Sequence, residues 1–172
     1  IQRIRLDPKL RLCTGADVRP RFQWSRTEEW VLEKPGVDGF HLQRYMIHAE
    51  LRAGNRFRLF TQLKSNFVTG RQDAARPTDL DRLDVHQAFA EFRMESLGDI
   101  TIRAGRQEVA LGSSRLVSIR DGPNVRLSFD GARLAWKMAD WKVELLALRP
   151  VRTRAGAFDD TPDNRQSLWG VY

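Results

Sequence analysis

From Tyr45 to Lys64 ("YMIHAELRAGNRFRLFTQLK") the chain alternates with a period of two on both sides of a short break. Tyr45, Ile47, Ala49 and Leu51 stand against Met46, His48, Glu50 and Arg52. After Ala53-Gly54-Asn55, the residues Phe57, Leu59, Thr61 and Leu63 stand against Arg56, Arg58, Phe60, Gln62 and Lys64. This is the period of a strand whose two faces meet different surroundings, and the break reads as a hairpin turn. One face is aliphatic. The other is crowded with arginine.

The same reading along the chain predicts about eight strands, near residues 16 to 25, 41 to 53, 56 to 67, 85 to 94, 99 to 106, 126 to 138, 141 to 149 and 166 to 172. No window carries a capped helical stripe, although 78 to 86, "TDLDRLDVH", is compatible with one short helical turn. The links "AGN", "ESLGD" and "MAD" are short turns of hairpin type. The links at 26 to 40, 68 to 84, 107 to 125 and 150 to 165 are long. Short and long links alternate throughout, which is how outer-membrane barrels place tight turns at one rim and long loops at the other. The expected fold class is therefore all-β: an antiparallel up-and-down transmembrane β-barrel, with about eight strands of a larger barrel present. The expected organisation is a single barrel domain over 1 to 172, a fragment truncated at its C-terminal end and lacking its signal peptide.

A soluble barrel or sandwich shows the same alternation with its faces reversed, so periodicity alone does not separate the two. Loop asymmetry favours the membrane form, and so does aromatic placement. Trp136 and Trp141 flank "MAD", Phe57 follows "AGN" and Phe67 ends its strand, as interfacial girdles require. Charge supplies the third reason. Lys and Arg number 29 against 22 Asp and Glu, and only five of the 29 are lysine, leaving 24 arginines and a formal charge of +7. On the polar faces, Arg19, Arg21, Arg44, Arg52, Arg56, Arg58, Lys64, Arg93, Arg103, Arg133, Lys137 and Lys142 face Asp17, Glu50, Glu91 and Glu144. A solvated outer face mixes its signs. A wet lumen for an anion looks like this one. Phe60 and Phe89 break the polar face, and Leu146 and Leu148 share a face with Lys142 and Glu144, so a bulge or an inward-folded loop is expected there.

The densest polar segment is 103 to 126, "RAGRQEVALGSSRLVSIRDGPNVR". Such a segment either folds into the lumen, with Arg to Asp or Glu pairs holding a constriction, or stays outside as a loop stapled by surface ion pairs. Within it, Gly105-Arg106-Gln107-Glu108, Gly112, Arg115-Leu116, Arg120-Asp121 and Asn124 follow, in order, a pattern that resembles the alginate export family of Gram-negative outer-membrane barrels. "HQAF" at 86 to 89 and "FRLFTQLKSN" at 57 to 66 also fit that family. Gly122-Pro123 departs from it, where an aromatic residue is expected before Asn124. The resemblance implies secretion of an anionic, alginate-like exopolysaccharide through an arginine-lined pore in the bacterial outer membrane. Lipid and periplasmic export machinery would then be partners, and no cofactor is implied.

The expected pore-lining set is Arg19, Arg21, Arg44, Arg52, Arg58, Lys64, Arg93, Arg103, Arg106, Glu108, Arg115, Arg120, Asp121, Asn124 and Arg133. No G-x-S-x-G, HExxH or phosphate-binding Gly-Lys loop is present, so no enzyme is expected. His48 is expected to line the lumen. Asp159, Asp160 and Asp163 could hold Ca²⁺, but their spacing favours a solvated turn. Two other readings stay open: an anion-selective porin for small carboxylates, and a soluble basic β-domain binding nucleic acid. The second calls for one basic patch with interleaved aromatics, whereas the basic residues are spread over nearly every strand.

Overall fold

In the computed structural model the alternation becomes ten strands, described for residues 2–7, 9–26, 37–95 and 98–172. Most of the long link expected at 26 to 40, and part of the "ESLGD" turn, lie outside the described residues. The strands are β1 (Gln2–Asp7), β2 (Leu10–Arg26), β3 (Val37–Ala53), β4 (Phe57–Thr69), β5 (Asp81–Met94), β6 (Asp99–Gln107), β7 (Phe129–Met138), β8 (Trp141–Arg152), β9 (Thr161–Pro162) and β10 (Leu168–Val171). From β1 to β8 each pairs antiparallel with the next, β10 pairs β8, and the two-residue β9 joins the end of β8. The fold is an antiparallel up-and-down sheet, open between β1 and β10, with the form of a partial barrel.

Cross-strand pairing, rather than local pattern, sets the strand lengths. β2 and β3 match residue for residue from Leu10↔Ala53 to Arg26↔Val37, so β2 starts well before the expected position 16. β1, too short to stand out in the sequence, pairs with its lower half. The one short turn compatible with 78 to 86 lies earlier, at 76 to 80, where the Asp79 and Leu80 N–H groups donate to Arg76 O, because β5 begins at Asp81 and bonds to β4. β7 starts at Phe129 rather than 126, since Leu127 N–H donates to Ile119 O inside the preceding loop.

The two faces separate as the alternation predicts. Val18, Phe22, Trp24, Tyr45, Ile47, Phe57, Leu59, Phe92, Ile102, Leu145 and Trp169 are exposed on one side of the wall. At the turn rim, Trp136, Met138, Trp141 and Val143 line an apolar hollow on that side. A continuous apolar surface of this extent, with aromatic residues at its rim, has the band-and-girdle pattern of the outer face of membrane barrels. The core lies on the opposite face: Val109 and Leu111, from the loop after β6, pack on Phe129, Leu146 and Leu148. This accounts for the leucines among charges. β7 and β8 pair without a bulge from Phe129↔Pro150 to Met138↔Trp141, and the inward-folded loop is what Leu146 and Leu148 meet. The register shifts lie elsewhere, between β4 and β5 at Gln62/Leu63 and Lys64/Asn66, and between β1 and β2 at Arg5/Asp7.

Gly105 and Gly131 face each other across β6 and β7 on the inner side. Both have positive φ, and a Cβ would stand 2.3 Å from Ala88 O at the first and 2.2 Å from Ala147 O at the second. Only glycine permits so close an approach between neighbouring backbones.

Candidate functional site

Register, not sequence spacing, assembles the inner wall. Arg11 is opposite Arg52, Arg52 opposite Arg58, Arg58 opposite Glu91, Glu91 opposite Arg103, and Arg103 opposite Arg133. Six consecutive strands, β2 to β7, thus put five arginines and one glutamate on a single level of the inner face. Like charges directly opposite in a sheet destabilise it. Three wall carboxylates offset this, each bridging two cations. Glu50 accepts from Arg52 and, at 2.7 Å, from Arg58. Glu91 accepts from Arg103 at 2.6 Å and lies 3.7 Å from Arg58. Glu144 holds Arg133 at 2.6 Å and Lys142 at 2.7 Å. Five belt arginines against three carboxylates still leave an excess of positive charge.

The aromatic residues that break the polar face support this belt. Phe60 and Phe89 stack with centroids 5.2 Å apart, and His48 stacks on Phe60 at 5.6 Å. Arg58 lies over both phenylalanine rings, and Arg103 sits 4.3 Å above Phe89. A guanidinium lying on a ring face keeps its edge donors free for another anion. Just below the belt, Arg11, Arg52, Arg56, Arg58, Arg93 and Glu91 surround a cavity of about 160 Å³ at the turn rim. Arg93 is held there by both carboxylate oxygens of Asp99 at 2.7 Å.

Farther up, the loop between β6 and β7 crosses the inner wall to the strands four away. Arg19 donates to Asp121 O at 2.6 Å and to Pro123 O at 2.8 Å, and Arg21 donates to Gly122 O. Arg44 bonds the Asp121 carboxylate at 2.8 Å, and Arg126 approaches it at 3.0 Å. Asn124, fully buried, directs Nδ2 at Gln43 O, Phe67 O and Asp79 O, while its own carbonyl accepts from Asn66 Nδ2 at 2.7 Å. Burial raises the Asp121 carboxyl, but the Arg44 hydrogen bond and the charges of Arg44, Arg126 and Arg19 outweigh it and hold the group below the ordinary aspartate value.

The loop's stem is tied down as well. Glu108 meets buried His86 at 2.7 Å and Arg126 at 3.2 Å. Lys64, buried, sits between Asp81 and Asp160 at 2.7 Å from each. Asp84, Asp159 and Asp160 come together. Two of them are engaged from within, since Asp84 accepts from the N–H groups of Asp159 and Asp160, and Asp160 from Lys64 and the Arg154 N–H, while Asp159 Oδ1 is buried without a hydrogen-bond partner among the described residues. Asp163 stays apart and caps the turn at Arg165 and Gln166.

Of the expected set, Arg52, Arg58, Arg103 and Arg133 form the belt, Arg93 lies at its foot, and Arg19, Arg21, Arg44, Asp121 and Asn124 fasten the loop. Lys64 and Glu108 anchor its surroundings. Arg106 is kept off the belt: Asp130 takes it at 2.8 and 3.0 Å, and it also donates to Val85 O and Asp160 O and lies 3.7 Å from Asp84, beside the Lys64 cluster. Arg115 and Arg120 are exposed on the loop's outer bend. Sequence reasoning missed Arg11, whose alternation with Leu10 and Leu12 was the available signal; Arg126, at the end of the dense polar segment, pairs with Glu108 and Asp121 but was not in the expected set. The role of Phe60 and Phe89 was missed as well.

A single antiparallel wall with an apolar outer face, a charged inner face, short turns at one rim and long loops at the other defines a membrane β-barrel of the transport class. The alginate export family model matches residues 10–172, and the chain belongs to that family. No curated protein and no solved structure matches it. The family consists of porin-type transport proteins rather than enzymes, and membership supports a polysaccharide export channel of the outer membrane.

Proposed function

We propose that this chain forms part of the wall of an outer-membrane channel through which an anionic, alginate-like exopolysaccharide passes along the arginine belt. The observation that carries the reading is the shared level of Arg11, Arg52, Arg58, Arg103 and Arg133 on the inner face. A carboxylated sugar reaching this level exchanges water for charge-assisted hydrogen bonds to guanidinium groups. Each belt arginine from Arg52 to Arg133 already shares a wall glutamate, so the polymer competes for donors and does not meet bare charge. Contacts of that kind hold a chain in register and release it, as conduction requires. The inward-folded loop narrows the passage above the belt. No bond is made or broken.

The test is planar-bilayer conductance of the full-length protein, with the reversal potential read under a KCl gradient before and after an anionic polysaccharide such as alginate is added. Anion-selective current that the polymer blocks, with selectivity reduced in Arg58→Gln and Arg103→Gln, is the expected result. A channel without anion preference, or one blocked equally by a neutral polysaccharide, overturns the reading. Block by small carboxylates but not by polymer would instead favour a porin for small anions.

A further inference from the structure

A second cation-rich site lies away from the belt, where the β6–β7 loop meets the end of β8 and the segment before β10. There a cavity of about 600 Å³ opens between residues 114–120 of the loop, residues 150–152 of β8 and residues 163–168. Arg115, Arg120 and Arg152 line it and are exposed, and among the described residues none has a carboxylate partner. In the belt, by contrast, the wall glutamates meet four of the five arginines. Asp163, the cavity's one carboxylate, is spent on the Arg165 N–H and on Gln166 Nε2 at 2.9 Å. The cavity therefore presents three guanidinium groups against one carboxylate that pairs with none of them, a net positive site for whatever enters it.

Its other side is apolar. Phe129 and Val151 are buried behind it, Leu127 and Leu168 extend the floor, and Leu116 is 69% exposed at the mouth. The lining loop is held in a costly conformation: Ser113, Ser114 and Arg120 have φ of 54°, 65° and 54°. Left-handed backbone at non-glycine residues persists where the surroundings over-determine it and clusters at ligand sites. Here the Leu111–Val117 pairing, with Leu111 N–H donating to Val117 O at 3.0 Å, closes the bend that presents Arg115.

We infer that this cavity is a binding site for a short run of carboxylated sugar at the loop rim, separate from the belt. Guanidinium groups match sugar carboxylates, and the leucine and phenylalanine floor matches the C–H faces of sugar rings. The volume suits a ligand of about two or three sugar units, since small-molecule sites span about 300 to 1,000 Å³. The inference rests on the proposed cargo, and it assigns that cargo a holding point where it leaves the wall.

The experiment is isothermal titration of the full-length protein in detergent with a uronic-acid trisaccharide, and with a neutral hexose trisaccharide as control. Wild type is expected to bind the uronate and not the neutral sugar. A triple substitution, Arg115→Gln with Arg120→Gln and Arg152→Gln, is expected to weaken binding by at least about tenfold, given the strength of hydrogen bonds to charged groups. Arg152→Gln alone, placed on β8 outside the strained loop, keeps the test valid if the triple variant does not fold, and should cost about threefold or more. The belt pair Arg58→Gln with Arg103→Gln should retain the cavity's binding while changing the reversal potential. Equal affinity for the neutral sugar, or unchanged uronate binding in both cavity variants, overturns the inference. A wild-type channel without anion preference sinks the conduit reading instead, and leaves the titration to be judged alone.

Discussion

Arg103 stands 4.3 Å above the centre of the Phe89 ring while its Nη2 donates to Glu91 at 2.6 Å. Glu91 lies on the strand between Arg58 and Arg103, opposite both in register. One carboxylate thus restrains two belt cations, and the ring beneath keeps one of them flat against the wall.

Glu91→Gln should therefore release Arg103 and relax Arg58, which keeps its 2.7 Å bond to Glu50. The expected outcome is a reversal potential shifted further toward anions and longer polymer blocks, because fewer wall groups compete for the guanidinium donors. Single-channel recording with added alginate checks it; unchanged block lifetimes would show that Glu91 does not set release. Glu91→Asp, which keeps the charge, should stay close to wild type.

Asn124→Ala should loosen the loop without touching the belt. The substitution leaves Asn66 Nδ2 its carbonyl partner but strips Gln43 O, Phe67 O and Asp79 O of their shared donor. A buried hydrogen-bonding group lost in this way costs about 1 to 3 kcal/mol. Larger and noisier single-channel conductance at unchanged ion selectivity is the predicted reading, together with a lower thermal midpoint.

Acid should loosen the same loop by another route. The Asp121 carboxyl is held below its ordinary value, so its contribution is complete above the unfolded aspartate value and is lost as pH falls through the lower, folded one. Conductance noise should rise only in the strongly acidic range, below about pH 4. Asp121→Asn should show that noise already at neutral pH and change little on acidification. Identical pH profiles for the two proteins would contradict the assignment.

Gly131→Val tests the wall itself. A side chain there meets Ala147 O in a backbone conformation that β-branched residues avoid. Folding yield in detergent, scored by the heat-modifiable mobility of barrels on gels, should drop sharply. Ala132→Val, one residue along and exposed on the apolar outer face, should fold normally.

The leucines at 146 and 148 show how far local pattern reaches. Their alternation with Lys142 and Glu144 was visible, and so was the need for something apolar to meet them, but the partners Val109 and Leu111 lie across a long loop. Arg106 shows the opposite limit. It belongs to the motif that carries the family resemblance, yet its strand position turns it toward Asp130 and away from the belt.

The sequence by itself determined the period of two, the alternation of short turns with long loops, and therefore the up-and-down wall with one apolar and one arginine-rich face. These are local properties, since each residue's side of a strand follows from its neighbours' parity. Tertiary structure alone decided which arginines share a level, because register is set by cross-strand pairing and shifted within the β4–β5 ladder at Gln62/Leu63 and Lys64/Asn66. It also decided where the β6–β7 loop lies. That depends on hydrogen bonds from Arg19, Arg44 and Asn66 to residues more than fifty positions away, which no local pattern encodes.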